Sequence, residues 1–447
     1  MTESLSSRSS ALEILQAVSR RNHALDEAVS GHLGFARLEP RDRAFVRLLV
    51  ATSLRRLGQI DTLIAVCLDR PIEAKMPAVH DILRLGIAQL LFLKTPPHAA
   101  VDTSVELTEA VGHGALKGLV NAVLRRLSRE GTAIVEAQDA AKLNTPGWLW
   151  ESWCSAYGEA TARKIAEAHM AEPPLDITVK SHAESHRESH RETHREFWAS
   201  RLGAAILPTG SLRRPIAQEG GGGAIPELPG FAEGEWWVQD AAAAIPASLF
   251  GDVTGRSAID LCAAPGGKTA QLAAAGAKVT AVDVSAARIK LLRENMNRLH
   301  LPADFICADA SVWHPREQAE CVLLDAPCTA TGTLRRHPDI ARLKSPKDVT
   351  RLMAVQDRLL DAATAMLAPG GMLVYCTCSL QPEEGEQRIA ALLDRKSGLV
   401  WAPIAPAEVG GLTELLTAEG ALRTLPCHLA AQGGMDGFYA VRLRRIA

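Results

Sequence analysis

Aromatic residues are scarce in this sequence, at 4% of 447, and only three of them are tyrosine. That scarcity argues against extensive base stacking as a main binding mode. An excess of one charge sign is also missing. Lys and Arg total 49 against 51 Asp and Glu, for a formal net charge of -2. No global positive field announces a nucleic-acid partner, so any such partner has to be met by local patches. Long apolar runs are absent too. The longest, around Leu85 to Leu93, falls far short of the roughly 20 residues that span a bilayer. The first residues, MTESLSSRSS, are polar and carry no apolar signal core. The nine cysteines are odd in number and scattered, which does not describe a secreted disulfide framework. A reducing, cytoplasmic setting without a membrane partner is the expectation.

What is present is a chain long enough for two or three domains, 47% hydrophobic and 22% charged, as in globular proteins with real cores. Residues 8–135 read as an all-helical domain. Ala11, Ile14, Leu15 and Val18 share one face, as do Val79, Ile82, Leu83, Ile87 and Leu90. Leu116, Leu119, Val120, Val123, Leu124 and Leu127 form a third set. Spacing of three and four residues defines amphipathic helices around a common core. Arg20, Arg21, Arg41, Arg43, Arg47, Arg55 and Arg56 cluster here, as solvated helix faces or as an RNA-binding surface.

Residues 140–235 read as an irregular linking region. SHAESHRESHRETHRE (181–196) is a tandem repeat that spaces His182, His186, His190 and His194 by four. Such pairs on a helix can bind a transition metal. The interleaved Arg and Glu instead describe a solvated helix or an expanded loop, so no metal site is expected. The Gly220–Gly223 run and the prolines after it predict a loop before the next domain.

From residue 236 to 447 the pattern turns to strand, turn and helix, repeated. SAIDLCA (257–263), KVTAVDV (278–284), ADFICAD (303–309), CVLLDAP (321–327) and GMLVYCT (371–377) are short apolar runs. Helical segments separate several of them, the longest being KDVTRLMAVQDRLLDAATAML. Near-continuous apolar strands alternating with helices imply a mostly parallel, doubly wound α/β sheet covered on both faces.

The first of these strands runs into Cys262, Ala263, Ala264, Pro265, Gly266, Gly267 and Lys268, followed by a helical stretch. An open α/β sheet binds its ligand at such a point, beyond a strand's carboxyl end and at a helix N-terminus. A phosphate-binding GxxxxGK[ST] loop would need glycine at 262, where Cys stands, and GxGxxG is absent as well. Asp260, Asp283, Asp309 and Asp325 stand at or near strand ends around this loop. A lone Asp there is usually a helix cap. Four carboxylates repel phosphate but suit a neutral nucleoside beside a sulfonium cation, which describes S-adenosylmethionine.

Cys328 follows the fourth strand in LLDAPCTATGTLRRHPDI (323–340), and Cys378 follows the fifth in VYCTCSLQPEEGE (374–386). Ends of adjacent strands open onto one crevice. Both thiols lie in polar loops, whereas Cys262, Cys307 and Cys321 stand in apolar strand context and read as buried.

DLCAAPGGKT, VTAVDVS, LLDAPCTATGTLRRHPDI and YCTCSLQPEE resemble successive motifs of the RNA cytosine-C5 methyltransferase family, the NOL1/NOP2/Sun group. RTLPCHLAAQGGMDGFYAVRLRR (423–445) is similar to that family's closing motif. VDTSVELTEAV and LKGLVNAVLRRL (101–127) resemble the NusB-like RNA-binding domain fused to bacterial small-subunit rRNA enzymes of the Sun/Fmu/RsmB type. The resemblance implies a Rossmann-like methyltransferase domain (236–447), a NusB-like domain (8–135) and a small linking α+β region (140–235). It implies Cys378 as nucleophile and Asp325 as the group facing the cytosine N3/N4 edge. Cys328 would assist the final elimination, and Lys268 would line the same pocket. The loop 262–268 with Asp283, Asp309 and Asp325 would hold S-adenosylmethionine. Arg335, Arg336, Arg342 and Lys344 follow the Pro-Cys motif and are expected to hold phosphates beside the pocket. The implied partner is 16S rRNA, with tRNA as the alternative; DNA is not expected, and the enzyme is expected to act as a monomer. Thr329 stands where the family commonly has Ser. A DNA-type enzyme, in which the Pro-Cys thiol attacks, and a non-catalytic RNA-binding assembly factor are the competing readings. The second thiol motif opposes the first, and the intact loop, Asp325 and cysteines oppose the second.

Overall fold

The computed structural model describes residues 3–70, 72, 76–180, 188–215, 225–395 and 398–446. Its contacts form two compact units: Met1–Ala171 with Leu334–Ser345, and Glu172–Thr333 with Pro346–Ala447. His182, His186 and the glycine run 220–223 lie outside the described residues.

The first unit is helical. Its elements are α1 (Glu3–Arg21), α2 (Leu25–Ser30), α3 (Leu33–Ala36), α4 (Pro40–Arg55), α5 (Leu57–Cys67), α6 (Pro77–Ile87), α7 (Pro97–Ala110) and α8 (Lys117–Glu136). Pro40, Pro77 and Pro97 open their helices, where the missing N–H would have no partner anyway. The apolar stripes of α1, α6 and α8 meet in one core, with Ile14, Leu15, Ile82, Leu83, Leu124 and Leu127 fully buried. Inside it, the buried Asp81 takes Arg20 at 2.7 Å and Arg84 at 2.9 Å, and Arg84 reaches Asp61 at 2.7 Å. Arg20 is thus held in an ion pair with a buried carboxylate while remaining exposed itself, as Arg41 and Arg47 are.

Residues 140–169, read from the sequence as irregular, form α9 (Ala140–Asn144), α10 (Gly147–Tyr157) and α11 (Glu159–His169). α9 buries one position and α10 two, while the stripe of α11 (Ala162, Ile165, Ala166, His169) is built mostly of Ala and His, which do not register as apolar. His169 is buried against the Trp153 ring, and burial pushes it down to about 3, so it is neutral at ordinary pH.

The second unit opens with β1 (Leu175–Val179), α12 (Glu188–Leu202), β2 (Ala205–Ile206), β3 (Leu212–Arg214) and β4 (Trp236–Val238). Its four short strands pair antiparallel in the order β2-β3-β1-β4. In α12, His194 Nε2 accepts from Trp198 Nε1 at 3.1 Å. Among the described residues no cluster of three or more metal-ligating side chains occurs. The buried pair Arg213–Asp176 at 2.6 Å, with Arg213 also donating to the Gly434 carbonyl at 2.6 Å, joins this small sheet to the remainder of the unit.

That remainder runs α13 (Ala241–Ser248), β5 (Ser257–Leu261), α14 (Gly267–Ala274), β6 (Lys278–Asp283), α15 (Ala286–Arg298), β7 (Asp304–Cys307) and β8 (Ala319–Asp325). After the short α16 (Ile340–Leu343), which groups with the first unit, come α17 (Pro346–Met366), β9 (Leu367–Thr377) and α18 (Glu386–Asp394). β10 (Leu399–Trp401), β11 (Leu422–Thr424) and β12 (Phe438–Arg445) complete it. The sheet order is β10-β12-β9-β8-β5-β6-β7, with β11 on β12. β5 to β9 pair parallel, and β12 runs antiparallel to β9. This is the Rossmann-like methyltransferase arrangement.

Both faces are packed. Cys321, Leu323, Val374 and Cys376 enter one core, while Val322, Leu324, Leu373 and Tyr375 enter the opposite one. Two buried faces explain the unbroken apolar runs in these strands. β7 is an edge strand, and Cys307, expected to be buried, is exposed there. No helix among the described residues is long and apolar enough to cross a membrane.

Candidate active site

Sheet order reverses at β5, whose parallel neighbours are β6 on one side and β8 on the other. A crevice opens outside the carboxyl ends at such a reversal. The loop Cys262–Gly266 turns there into α14. Gly266 has φ 108°, and a Cβ on it would stand 2.3 Å from Leu292 Cδ1. The backbone conformation demands glycine, and a side chain there would also displace the end of Leu292.

Asp283 ends β6 and anchors this loop. Its Oδ2 accepts the Ala264 N–H at 3.2 Å and lies 3.3 Å from Arg288, while Oδ1 accepts the Ser285 N–H at 3.0 Å. Arg288 also donates to the Ala264 carbonyl. Asp260, inside β5, is fully buried; Thr269 Oγ1 donates to its Oδ2 at 2.6 Å, and Oδ1 has no hydrogen-bond partner. Burial pushes its carboxyl up to about 7, against the opposing effect of the Thr269 hydroxyl. Asp309 lies just beyond β7, exposed. Its Oδ1 accepts the Ser311 N–H at 2.9 Å and hydroxyl at 2.8 Å, and these bonds hold its pKa down.

Asp325, the last residue of β8, lies opposite Cys376 of β9 in the parallel register. Lys268, at the start of α14, donates to Asp325 Oδ2 at 2.7 Å and sits 5.0 Å from the centre of the Phe438 ring. Burial alone disfavours the ammonium, but the Asp325 carboxylate outweighs it and pushes the Lys268 pKa up. Cys376 donates to Asp325 Oδ1 at 3.5 Å. Burial, then Asp325, raises the Cys376 thiol well above its ordinary range, so it stays protonated.

Two and three residues past that register pair, the chains bring Cys378 and Cys328 together with their sulfurs 3.5 Å apart. The contact with Cys378 is the largest influence on Cys328 and raises its thiol; burial and the Glu384 carboxylate add to the effect. Either sulfur can donate in that contact. The loops are tied from several sides: Gly332 N–H donates to the Cys378 carbonyl at 2.9 Å, and Gly437 N–H to the Gly332 carbonyl at 2.8 Å. Arg423 donates to the Ser379 carbonyl at 2.7 Å while paired with Glu386 at 2.6 Å.

Glu384 is a residue that sequence reasoning missed. It is fully buried between the two thiol loops, yet an acidic residue in a polar stretch after a strand reads as solvated. The expectation for Arg335 is corrected as well. It is 1% exposed within the first unit, where its carbonyl accepts from Arg55 Nη2 at 3.0 Å, so it cannot take a phosphate at the surface.

A model of the family described as 16S rRNA methyltransferase RsmB/F matches residues 251–444, and one of the NusB family matches residues 5–129. Ribosomal RNA small subunit methyltransferase B of Vibrio cholerae is 33% identical over 97% of this chain and 96% of its own length. The enzyme of the same description from Cronobacter sakazakii is 35% identical over 99% of each. The chain belongs to this RsmB-type family. Its N-terminal unit is accordingly NusB-like, and the Rossmann-like unit carries the methyltransferase motifs. Among solved structures, a methyltransferase homologue from Pyrococcus horikoshii aligns with TM-score 0.52 and 25% identity, over 72% of this chain and 98% of that one.

Proposed function

We propose that this chain transfers a methyl group from S-adenosylmethionine to C5 of a cytosine in 16S rRNA, through a covalent bond between Cys378 and C6. The observation that carries the reading is the pair of sulfurs 3.5 Å apart beside an Asp325 held by Lys268 and Cys376. Residues 262–268, Asp283, Asp309 and Asp325 would hold the methyl donor. The crevice fits it chemically: Lys268 and Arg288 are each paired with a carboxylate, Asp325 and Asp283, so neither cation is free for a phosphate, and Asp309 adds a further carboxylate. When bound, S-adenosylmethionine supplies an electrophilic methyl group.

Cytosine C5 is too electron-poor to take that group unaided. Addition of the Cys378 thiolate to C6 pushes electron density through the ring to N3 and makes C5 an enamine carbon. Asp325, fixed on one oxygen by Lys268 and on the other by Cys376, faces the N3/N4 edge; a proton drawn from the paired Lys268 passes through its carboxyl to N3 as charge develops there, and returns when the C6–S bond breaks. After C5 has gained its methyl, its proton leaves to solvent, the C6–S bond breaks and Cys378 departs as thiolate. Cys328, a thiol beside the departing sulfur, donates a hydrogen bond to it and assists the cleavage. Such chemistry reaches only an unstacked base, so a loop or single-stranded cytosine is the target.

Residues 8–135 serve RNA binding, 140–235 link, and 236–447 carry the chemistry; the enzyme works as a monomer in the cytoplasm, on RNA and not on DNA. Tritium at C5 of the cytosines of 16S rRNA tests the reaction. Each methyl group incorporated should release one tritium to water. Methyl incorporation without tritium release would place the methyl on another atom and overturn the C5 assignment.

A further inference from the structure

Glu384 touches neither sulfur in the scheme above, yet it joins the segments that carry them. The Thr329 N–H reaches its two oxygens at 3.0 and 3.2 Å, and the Thr329 hydroxyl donates to Oε2. The Ser379 hydroxyl donates to the same oxygen at 2.6 Å. From α17, Gln356 Nε2 donates to Oε1 at 3.2 Å and to the Pro327 carbonyl at 2.9 Å. Thr329 follows Cys328 in the chain, and Ser379 follows Cys378. One buried carboxylate thus holds the neighbour of each thiol. Two N–H donors and two hydroxyls converge on it, and an ionised carboxylate accepts from all four.

We propose that Glu384 is a positioning residue, clamping Thr329 and Ser379 so that Cys328 stays against Cys378 during release of the methylated RNA. The proposal rests on the thiol roles assigned above. Two consequences follow from its chemistry. Replacing the carboxylate by an amide of the same size exchanges charge-assisted hydrogen bonds at the Thr329 and Ser379 hydroxyls for weaker neutral ones, so the clamp loosens without a change of volume. Removing its negative charge also removes one of the influences that keep Cys328 protonated.

The experiment uses the full-length chain as wild type, Glu384→Gln and Glu384→Asp. The pH dependence of iodoacetamide alkylation is followed separately for Cys328 and Cys378 by peptide mass spectrometry. Adduct lifetime with 16S rRNA and S-adenosylmethionine is followed on denaturing gels. In Glu384→Gln the Cys328 profile should move to lower pH and the adduct should persist at least tenfold longer, with S-adenosylmethionine affinity within threefold of wild type. Glu384→Asp, which keeps the charge, should retain the wild-type Cys328 profile. A Glu384→Gln protein with wild-type affinity, alkylation profile and adduct lifetime overturns the proposal. If that variant does not fold, Ser379→Ala removes one donor and leaves the charge. It should lengthen the adduct lifetime at an unchanged Cys328 profile, and a wild-type lifetime would overturn the clamp. Failure of Cys328→Ala to form any adduct would count instead against the thiol assignment, and the alkylation profiles would still decide the role of Glu384.

Discussion

At the scale of single residues, burial and bonding partners divide the cysteines of this crevice into distinct groups. Cys376 and Cys378 are two positions apart, and sequence alone offers little to choose between them. The fold separates them: Cys376 is fully buried and held as a thiol on Asp325, whereas Cys378 is partly accessible and meets a second sulfur. Asp260 offers a direct test of how burial acts here. Its carboxyl titrates near pH 4 in an unfolded chain and is pushed up to about 7 in the fold. The folded state thus binds the proton more tightly, and this stability is complete below pH 4 and lost as pH rises through 7. Asp260→Asn, which cannot ionise, should therefore gain on the wild type between pH 5 and 8.5. The limit is about 4 kcal/mol, at about 1.4 kcal/mol per pKa unit. Thermal melts of both proteins across that range check it; a difference that does not change with pH would show that Asp260 titrates normally.

At the scale of elements, legibility followed burial on both faces. β5, β6, β8 and β9 show as apolar runs because two cores cover them. β7, at an edge, read alike from its composition, and its Cys307 was misplaced for that reason. The strands of the small sheet, two to five residues long, are too short for an alternation to register. The loops after β8 and β9 were legible through Cys328 and Cys378, but their clamp was not. Nothing in the spacing of Thr329, Ser379 and Glu384 reveals that the sheet brings them together. Those loops also fit tightly against the segment before β12. A Cβ at Gly332 would stand 1.9 Å from the Gly437 carbonyl oxygen. Gly332→Ala must shift a loop that donates to the Cys378 carbonyl, at a cost of about 1–3 kcal/mol typical of overpacking. We expect methyl transfer to fall at least tenfold while S-adenosylmethionine affinity, measured by calorimetry, stays within threefold. Wild-type turnover in this variant would mean that the contact does not set the Cys378 loop.

For the whole molecule, a net charge of -2 supplies no general attraction for RNA, so binding must come from local residues. Part of the basic cluster visible in the sequence is held in contacts within the chain. Arg20 pairs with the buried Asp81, Arg55 donates to the Arg335 carbonyl, and Arg335 is itself buried. Composition counts such residues and cannot say which of them reach solvent. Helical organisation, the parallel sheet and the position of the glycine loop were all readable, because each leaves a period or a breaker in the sequence. The chemistry is narrower than the fold and depends on which sulfur attacks. The most direct measurement mixes 16S rRNA and S-adenosylmethionine with Cys328→Ala and with Cys378→Ala, then resolves each on a denaturing gel. The account predicts a protein–RNA band for Cys328→Ala and none for Cys378→Ala, which should also be inactive. A band from Cys378→Ala and none from Cys328→Ala would reverse the roles of the two thiols and contradict it.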